Sequence, residues 1–172
     1  MTTPVNTDSQ PSGPDLDTMR AFHRKFVTGV TIVTTMDEDH PRGLAVNAFS
    51  SISLSPALIL VCVAKTSSTH EPLFRADRFG VNLLAHNQVD LAQHFATKSA
   101  EKFSQIDWQA GAHGCPILAG ACASLEAEVR ERVQSSTHTI FIGRVLRASS
   151  EETPPLVYMA SGFYDGGSMN PA

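Results

Sequence analysis

This chain has little that would serve cross-linking, a membrane or a metal. It carries three cysteines, Cys62, Cys115 and Cys122, and none stands in a Cys-x-x-Cys. Three thiols cannot all pair within one chain, so a multi-bridge disulfide framework is not expected. The simplest reading is reduced, mostly buried thiols in a cytoplasmic protein. The longest strongly apolar run is eight residues, far short of the roughly 20 that span a bilayer. No basic stretch followed by an apolar one opens the sequence, so no signal peptide is expected. Seven histidines are present, but none has metal-ligand spacing, and no metal is expected. Basic charge is scarce too. Thirteen Lys and Arg face 17 Asp and Glu, a net charge of −4, with aromatics at 7%. A nucleic-acid binder needs a basic surface and stacking platforms, and this balance disfavours both.

Motifs are missing as well. No Gly-x-Gly-x-x-Gly follows a strand, no Gly-rich phosphate loop ends in Gly-Lys-Ser/Thr, and neither Gly-x-Ser-x-Gly nor His-Glu-x-x-His occurs. That removes the dinucleotide-binding fingerprint, the P-loop, the hydrolase nucleophile elbow and the zinc-protease helix.

What remains is a globular composition, 42% hydrophobic and 17% charged, in a chain long enough for one domain with a real core. Residues 1–14 read as a disordered leader, 15–165 as the domain and 166–172 as a loose tail. Leu16, Met19, Phe22, His23 and Phe26 recur at helical spacing. Val30-Thr31-Ile32-Val33-Thr34-Thr35 is a strand by propensity. Strands follow at 57–64, 79–84, 121–133, 139–146 and 156–159. Thr69 is placed to cap a short helix through Arg75, and Asn87 another carrying Leu91 and Phe95. Residues 97–120 look irregular. In 121–133, Ala123, Leu125, Ala127 and Val129 alternate with Ser124, Glu126, Glu128, Arg130 and Arg132, a half-buried strand with a solvated polar face. About seven strands and two or three helices lack regular β-α-β order, so a doubly wound sheet is unexpected. A small antiparallel barrel with helical insertions fits better and removes the sheet edges.

Two clusters stand out. The first is Gly43-Leu44-Ala45-Val46-Asn47-Ala48-Phe49-Ser50-Ser51-Ile52-Ser53, whose small residues admit a flat ligand close to the backbone. The plainer alternative is a strand end and turn, where Asn and Ser are common. The second is Lys65-Thr66-Ser67-Ser68-Thr69-His70, where a helix start beside hydroxyls and a lysine suits a phosphate. An ordinary Ser/Thr cap is the plainer alternative. His138 opens an apolar strand after Thr137. Lys98 and Phe103 lie in the irregular stretch, and Tyr164 near the end; a solvated lysine and packed aromatics explain these equally well.

Together these positions resemble the short-chain flavin reductase family, the FMN-binding split-barrel reductases that supply two-component monooxygenases. The matching stretches are 26–35, 46–54, Phe79-Gly80-Val81-Asn82-Leu83-Leu84, 138–145 and Gly162-Phe163-Tyr164. The resemblance implies a mainly β, antiparallel split β-barrel with a few short helices, forming a homodimer. It implies FMN or FAD with NADH or NADPH as hydride donor, and a flavin-dependent monooxygenase as partner. By the same resemblance, Asn47, Ala48, Phe49, Ser50, Ser51 and Ser53 line the flavin ring. Lys65, Thr66, Ser67, Ser68 and Thr69 hold its phosphate, and Lys98 and Phe103 close over it. His138, as the catalytic candidate, and Tyr164 lie on the nicotinamide side. Ser136-Thr137 precede His138 where the family often has Gly-Asp. A flavin- or haem-binding barrel without turnover is the alternative reading.

Overall fold

Antiparallel strands rich in β-branched and aliphatic residues are the chief regular element of this molecule. The computed structural model describes residues 13–99 and 101–170. Most of the expected leader lies outside them. Helix α1 (Leu16–His23) begins where the Asp15 carboxylate accepts from the Thr18 amide at 2.7 Å. Strands β1 (Thr28–Gly29), β2 (Thr31–Asp37), β3 (His40–Val46), β4 (Phe49–Leu54) and β5 (Ala57–Ala64) follow. Next come α2 (His70–Arg75), β6 (Arg78–Leu83), α3 (Val89–Ala96), and the hairpin of β7 (Trp108–Ala110) and β8 (Pro116–Leu118). Two long strands, β9 (Ala123–Gln134) and β10 (His138–Ser150), precede β11 (Leu156–Met159) and β12 (Gly162–Asp165). A single 3-10 turn, Gly166–Ser168, follows β12.

Seven strands form one curled sheet in the order β3-β2-β6-β9-β10-β5-β4. Its neighbours are all antiparallel, and the whole is the split barrel anticipated from the sequence. A three-stranded sheet, β1-β11-β12, lies beside it. Inside the barrel, Val33, Val61, Val63, Phe79, Val81 and Phe141 form a closed apolar core. A second core joins Ile32, Leu84, Phe95, Leu118 and Leu156 between the sheet, α3 and the β7–β8 hairpin. Burying each such side chain stabilises the fold by about 1.5–3 kcal/mol.

Four local readings change. The run at 43–53 is not one wall: a strand end and turn, the end of β3 and Asn47-Ala48, account for its first part, and the rest is β4. The 97–120 stretch contains the β7–β8 hairpin, held to the barrel by Asn82. That buried amide donates to the Pro116 carbonyl at 3.3 Å and accepts from the Leu118 amide at 2.9 Å. Asn87 caps nothing. Gln88 holds the N-cap position of α3, and its side-chain oxygen accepts from the Ala85 amide at 3.0 Å.

The polar face of β9 is the fourth. Glu126 is buried at 2% exposure, because the β7–β8 hairpin covers it. Its Oε1 accepts from the amides of His113 at 2.9 Å and Cys115 at 3.1 Å, so it ties down the hairpin turn. Gly111 faces this carboxylate so closely that a Cβ would sit 2.5 Å from its carbon, which leaves no room for a side chain there. Arg132 likewise turns in, donating to the carbonyls of Phe74 and Ala76 at the end of α2.

Candidate active site

A cavity of about 610 Å³ opens where the ends of β3, β5 and β10 meet α3 and the small sheet. That volume is typical of small-molecule sites. One wall is the end of β3 with the turn that follows it, Leu44 to Ala48. Asn47 and Ala48 are exposed there, and the Ala48 carbonyl accepts from the Cys62 amide at 3.0 Å, which fixes the turn against β5. A second wall is the end of β5, Cys62 to Ala64. His138 begins β10 directly opposite Ala64 in the ladder, which brings its ring to the same mouth. Its Nδ1 lies 2.8 Å from the Thr137 hydroxyl. The far wall is Ala92 and Ala96 of α3, with Tyr158, Ser161 and Phe163 from the small sheet.

The lining is suited to a flat ring. Ala45, Ala48, Ala64, Ala92 and Ala96 leave the backbone accessible from several sides. Among the described residues, no Lys, Arg, Asp or Glu lines the cavity. Charge sits just outside. Lys65 to Ser68 leave the cavity wall directly after Ala64, and the Lys65 amide donates to the Thr137 carbonyl at 2.9 Å beside His138. Lys65, Thr66 and Ser68 are exposed there. A flavin fits this arrangement: small side chains and amides at the ring, cation and hydroxyls one step away. Among the described residues no group of three or more His, Cys, Asp and Glu could hold a metal ion.

Asn47, Ala48 and His138 therefore meet at one mouth, with Lys65 to Ser68 adjoining. The other candidates lie elsewhere. Phe49 lines a separate cavity of about 360 Å³ between β2, β4, β6 and β9. Ser50 and Ser51 are exposed on β4, and the Ser53 hydroxyl donates to the Pro56 carbonyl. Thr69 is buried, and its hydroxyl does not cap α2. It turns inward to donate to the Gly43 carbonyl at 3.0 Å. Lys98 is exposed, beyond the end of α3. Phe103 packs edge-on between Phe95 at 5.2 Å and Trp108 at 5.9 Å. Strand alternation sends Phe163 to the cavity and Tyr164, 46% exposed, to the opposite face of β12.

Sequence reasoning passed over Lys102. It is buried at 5% exposure, and its Nζ donates to the carbonyls of Phe95 at 2.8 Å and Gly43 at 3.2 Å. Burial holds its pKa below the usual lysine range. It links the end of α3 to β3, two walls of the cavity. Nothing in Glu101-Lys102-Phe103 signals this, because the partners are backbone carbonyls. Phe163 was legible only as a neighbour of Tyr164.

A family model described as a flavin reductase like domain matches residues 22–167. An NADH-dependent FAD reductase of Streptomyces globisporus is 39% identical over 136 residues, 76% of this chain and 74% of its own. The stachydrine N-demethylase reductase subunit of Rhizobium meliloti is 33% identical over 147 residues, 85% of this chain. This chain spans 64% of that relative and 45% of another from the same organism. Among solved structures, the NADH:FAD oxidoreductase of Streptomyces globisporus C-1027, in complex with NAD and FAD fragments, superposes with a TM-score of 0.82. It has 36% identity and covers 87% of this chain and 92% of its own.

Proposed function

This chain belongs to the flavin reductase family, and on that premise we propose that it is an NAD(P)H:flavin oxidoreductase supplying reduced FMN or FAD to a partner monooxygenase. The observation that carries the reading is the shared mouth of Asn47, Ala48 and His138 on an uncharged cavity, with Lys65 to Ser68 at its edge. When bound, the flavin supplies the chemistry by accepting a hydride from the reduced nicotinamide. The chain's own residues bind and orient. Asn47 and Ala48 present backbone and amide groups to the ring. Lys65 to Ser68 offer a cation and hydroxyls to the phosphate. His138 sits where it can contact the nicotinamide or hold a proton at a ring nitrogen. The alanines of β3, β5 and α3 let two flat rings stack at the about 3–3.5 Å that transfer needs.

A homodimer belongs to the same reading. Leu54 is 90% exposed and Ile52 45% exposed on β4, an apolar edge that a second copy would cover. Three free thiols suit the cytoplasm. No helix among the described residues is long and apolar enough to cross a membrane.

The test is NADH or NADPH oxidation with and without FMN, FAD and riboflavin. Oxidation should depend on added flavin. Ala48→Phe, which fills the mouth from an exposed turn, should weaken flavin binding about tenfold or more. A protein that binds flavin but ignores both nicotinamides would overturn the reading in favour of a carrier.

A further inference from the structure

Three of the 13 lysines and arginines fall within residues 20–25, in Arg20-Ala21-Phe22-His23-Arg24-Lys25. Arg20 and His23 close the last turn of α1, and Arg24 caps it. Basic side chains there offset the helix dipole, which accounts for one or two of them. It does not account for where they lie. Arg20, His23 and Arg24 line a recess of about 310 Å³ whose other side is Tyr158, Ala160 and Ser161. Tyr158 and Ser161 also line the main cavity, so the two spaces share a wall.

At Ser161 that wall is the two-residue turn between β11 and β12, Ala160-Ser161, with φ of 51° and 67°, and Tyr158 of β11 stands beside it. Both turn residues occupy the left-handed region that a tight hairpin turn demands and glycine usually fills. Their side chains are among the smallest available. The Ala160 amide donates to the Arg24 carbonyl at 3.2 Å, which holds the end of α1 beside this sill. Arg20 is paired with Asp17 at 3.1 Å, but both are well exposed and the pair is weak. Arg24 has no side-chain partner among the described residues.

Hydride transfer brings two phosphate-bearing ligands to a cavity whose lining holds no cation. Cationic groups adjoin it at Lys65 to Ser68 beyond Ala64, at exposed Lys98 beyond Ala96, and at Arg20 with Arg24 beyond Ser161. Arg20 and Arg24 line a recess that shares a wall with the cavity, so if flavin phosphate takes the Lys65 side, this recess offers a built space for the diphosphate of the second ligand. We propose that Arg20 and Arg24 form a subsite for the diphosphate of the nicotinamide dinucleotide, reached across the Ala160-Ser161 sill. This rests on the flavin reductase reading given above. A flavin dinucleotide carries the same diphosphate, so the test separates the two sources.

The probes are NADH, reduced nicotinamide riboside (which keeps the ring and ribose but carries no phosphate), FMN and FAD. The variants are Arg24→Gln and Arg20→Gln/Arg24→Gln. Both sites are exposed on α1, so the variants should fold. Binding is read by calorimetry and KM by steady-state turnover. The expected result is an NADH Kd and KM raised about five- to tenfold in the double variant. The riboside values should change less than twofold, and FMN and FAD should be affected equally little. The NADH effect should shrink at high salt. Unchanged NADH values overturn the proposal, as do equal losses for NADH and the riboside. A selective loss for FAD over FMN with NADH unmoved also overturns it, and assigns the recess to the flavin. Calorimetry needs no turnover, so an inactive protein that loses NADH affinity in these variants sinks the reductase reading while upholding this subsite.

Discussion

The ammonium of Lys102 and the hydroxyl of Thr69 converge on one carbonyl oxygen, that of Gly43, at 3.2 Å and 3.0 Å. Lys102 also holds the Phe95 carbonyl at 2.8 Å. One buried cation therefore joins β3, the end of α3 and the 97–107 segment, and it sets the spacing of the cavity's walls. A Cβ on Gly43 would lie 2.8 Å from the Phe95 ring, so there is no slack at this junction.

Replacing Lys102 with Met should leave the Phe95 carbonyl unpartnered and loosen α3 from β3. The expected loss is about 1–2 kcal/mol, since removing the desolvated charge offsets part of the lost hydrogen bonding. Thermal unfolding should fall by roughly 3–6 °C. Flavin affinity should fall as well, because Ala92 and Ala96 line the cavity from α3. Unchanged unfolding and unchanged flavin binding would show that Lys102 holds nothing together.

Cys115 gives a pH signature. Burial, with the charge of Glu126 second, pushes its thiol up from 9.0 to about 12. An acid whose folded pKa is raised keeps its full stabilisation below the unfolded value and loses it as pH climbs towards the folded one. Stability should therefore decline above pH 9 by roughly 1 kcal/mol per pH unit through this group. Cys115→Ser should flatten that part of the profile, read from urea midpoints of both proteins across the alkaline range. At pH 8, thiol reagents should modify half-buried Cys62 well before Cys115 or Cys122. A variant with the wild-type alkaline slope would show that the thiol contributes nothing.

His138 should matter for the donor and not for the fold. It is exposed, and among the described residues the hydrogen-bond partner of its ring is the Thr137 hydroxyl. His138→Ala should lower kcat/KM for NADH about tenfold or more, a usual scale for a lost proton-handling or ring-contact group. His138→Asn, which keeps a polar group there, should recover part of that loss. Wild-type NADH kinetics in both variants would remove His138 from the reaction.

Most of the barrel could be read from the chain because strand patterning is local. β5 is a run of Val, Ile and Leu whose alternation survives in its burial, and β2 and β6, rich in β-branched and apolar residues, are buried on both faces along most of their length. The misread parts are those where a distant element covers a surface. Glu126 lies on a polar strand face by pattern, and is buried because a hairpin 11–13 residues upstream folds over it. Thr69 is well placed for a cap by sequence, yet its hydroxyl goes to Gly43, 26 residues away. The site divides similarly. Asn47, Ala48 and His138 carry local signals of turn and strand start, while Lys102 and Phe163 depend on which segments the fold brings alongside.

The most direct test of the central claim is an anaerobic titration. Enzyme and oxidised FMN or FAD are mixed with substoichiometric NADH, and NADH loss and flavin reduction are followed together by absorbance. The expected result is equal molar amounts of NADH oxidised and flavin reduced, at a rate that Ala48→Phe and His138→Ala both slow. Bound flavin that stays oxidised in the presence of either NADH or NADPH would contradict it.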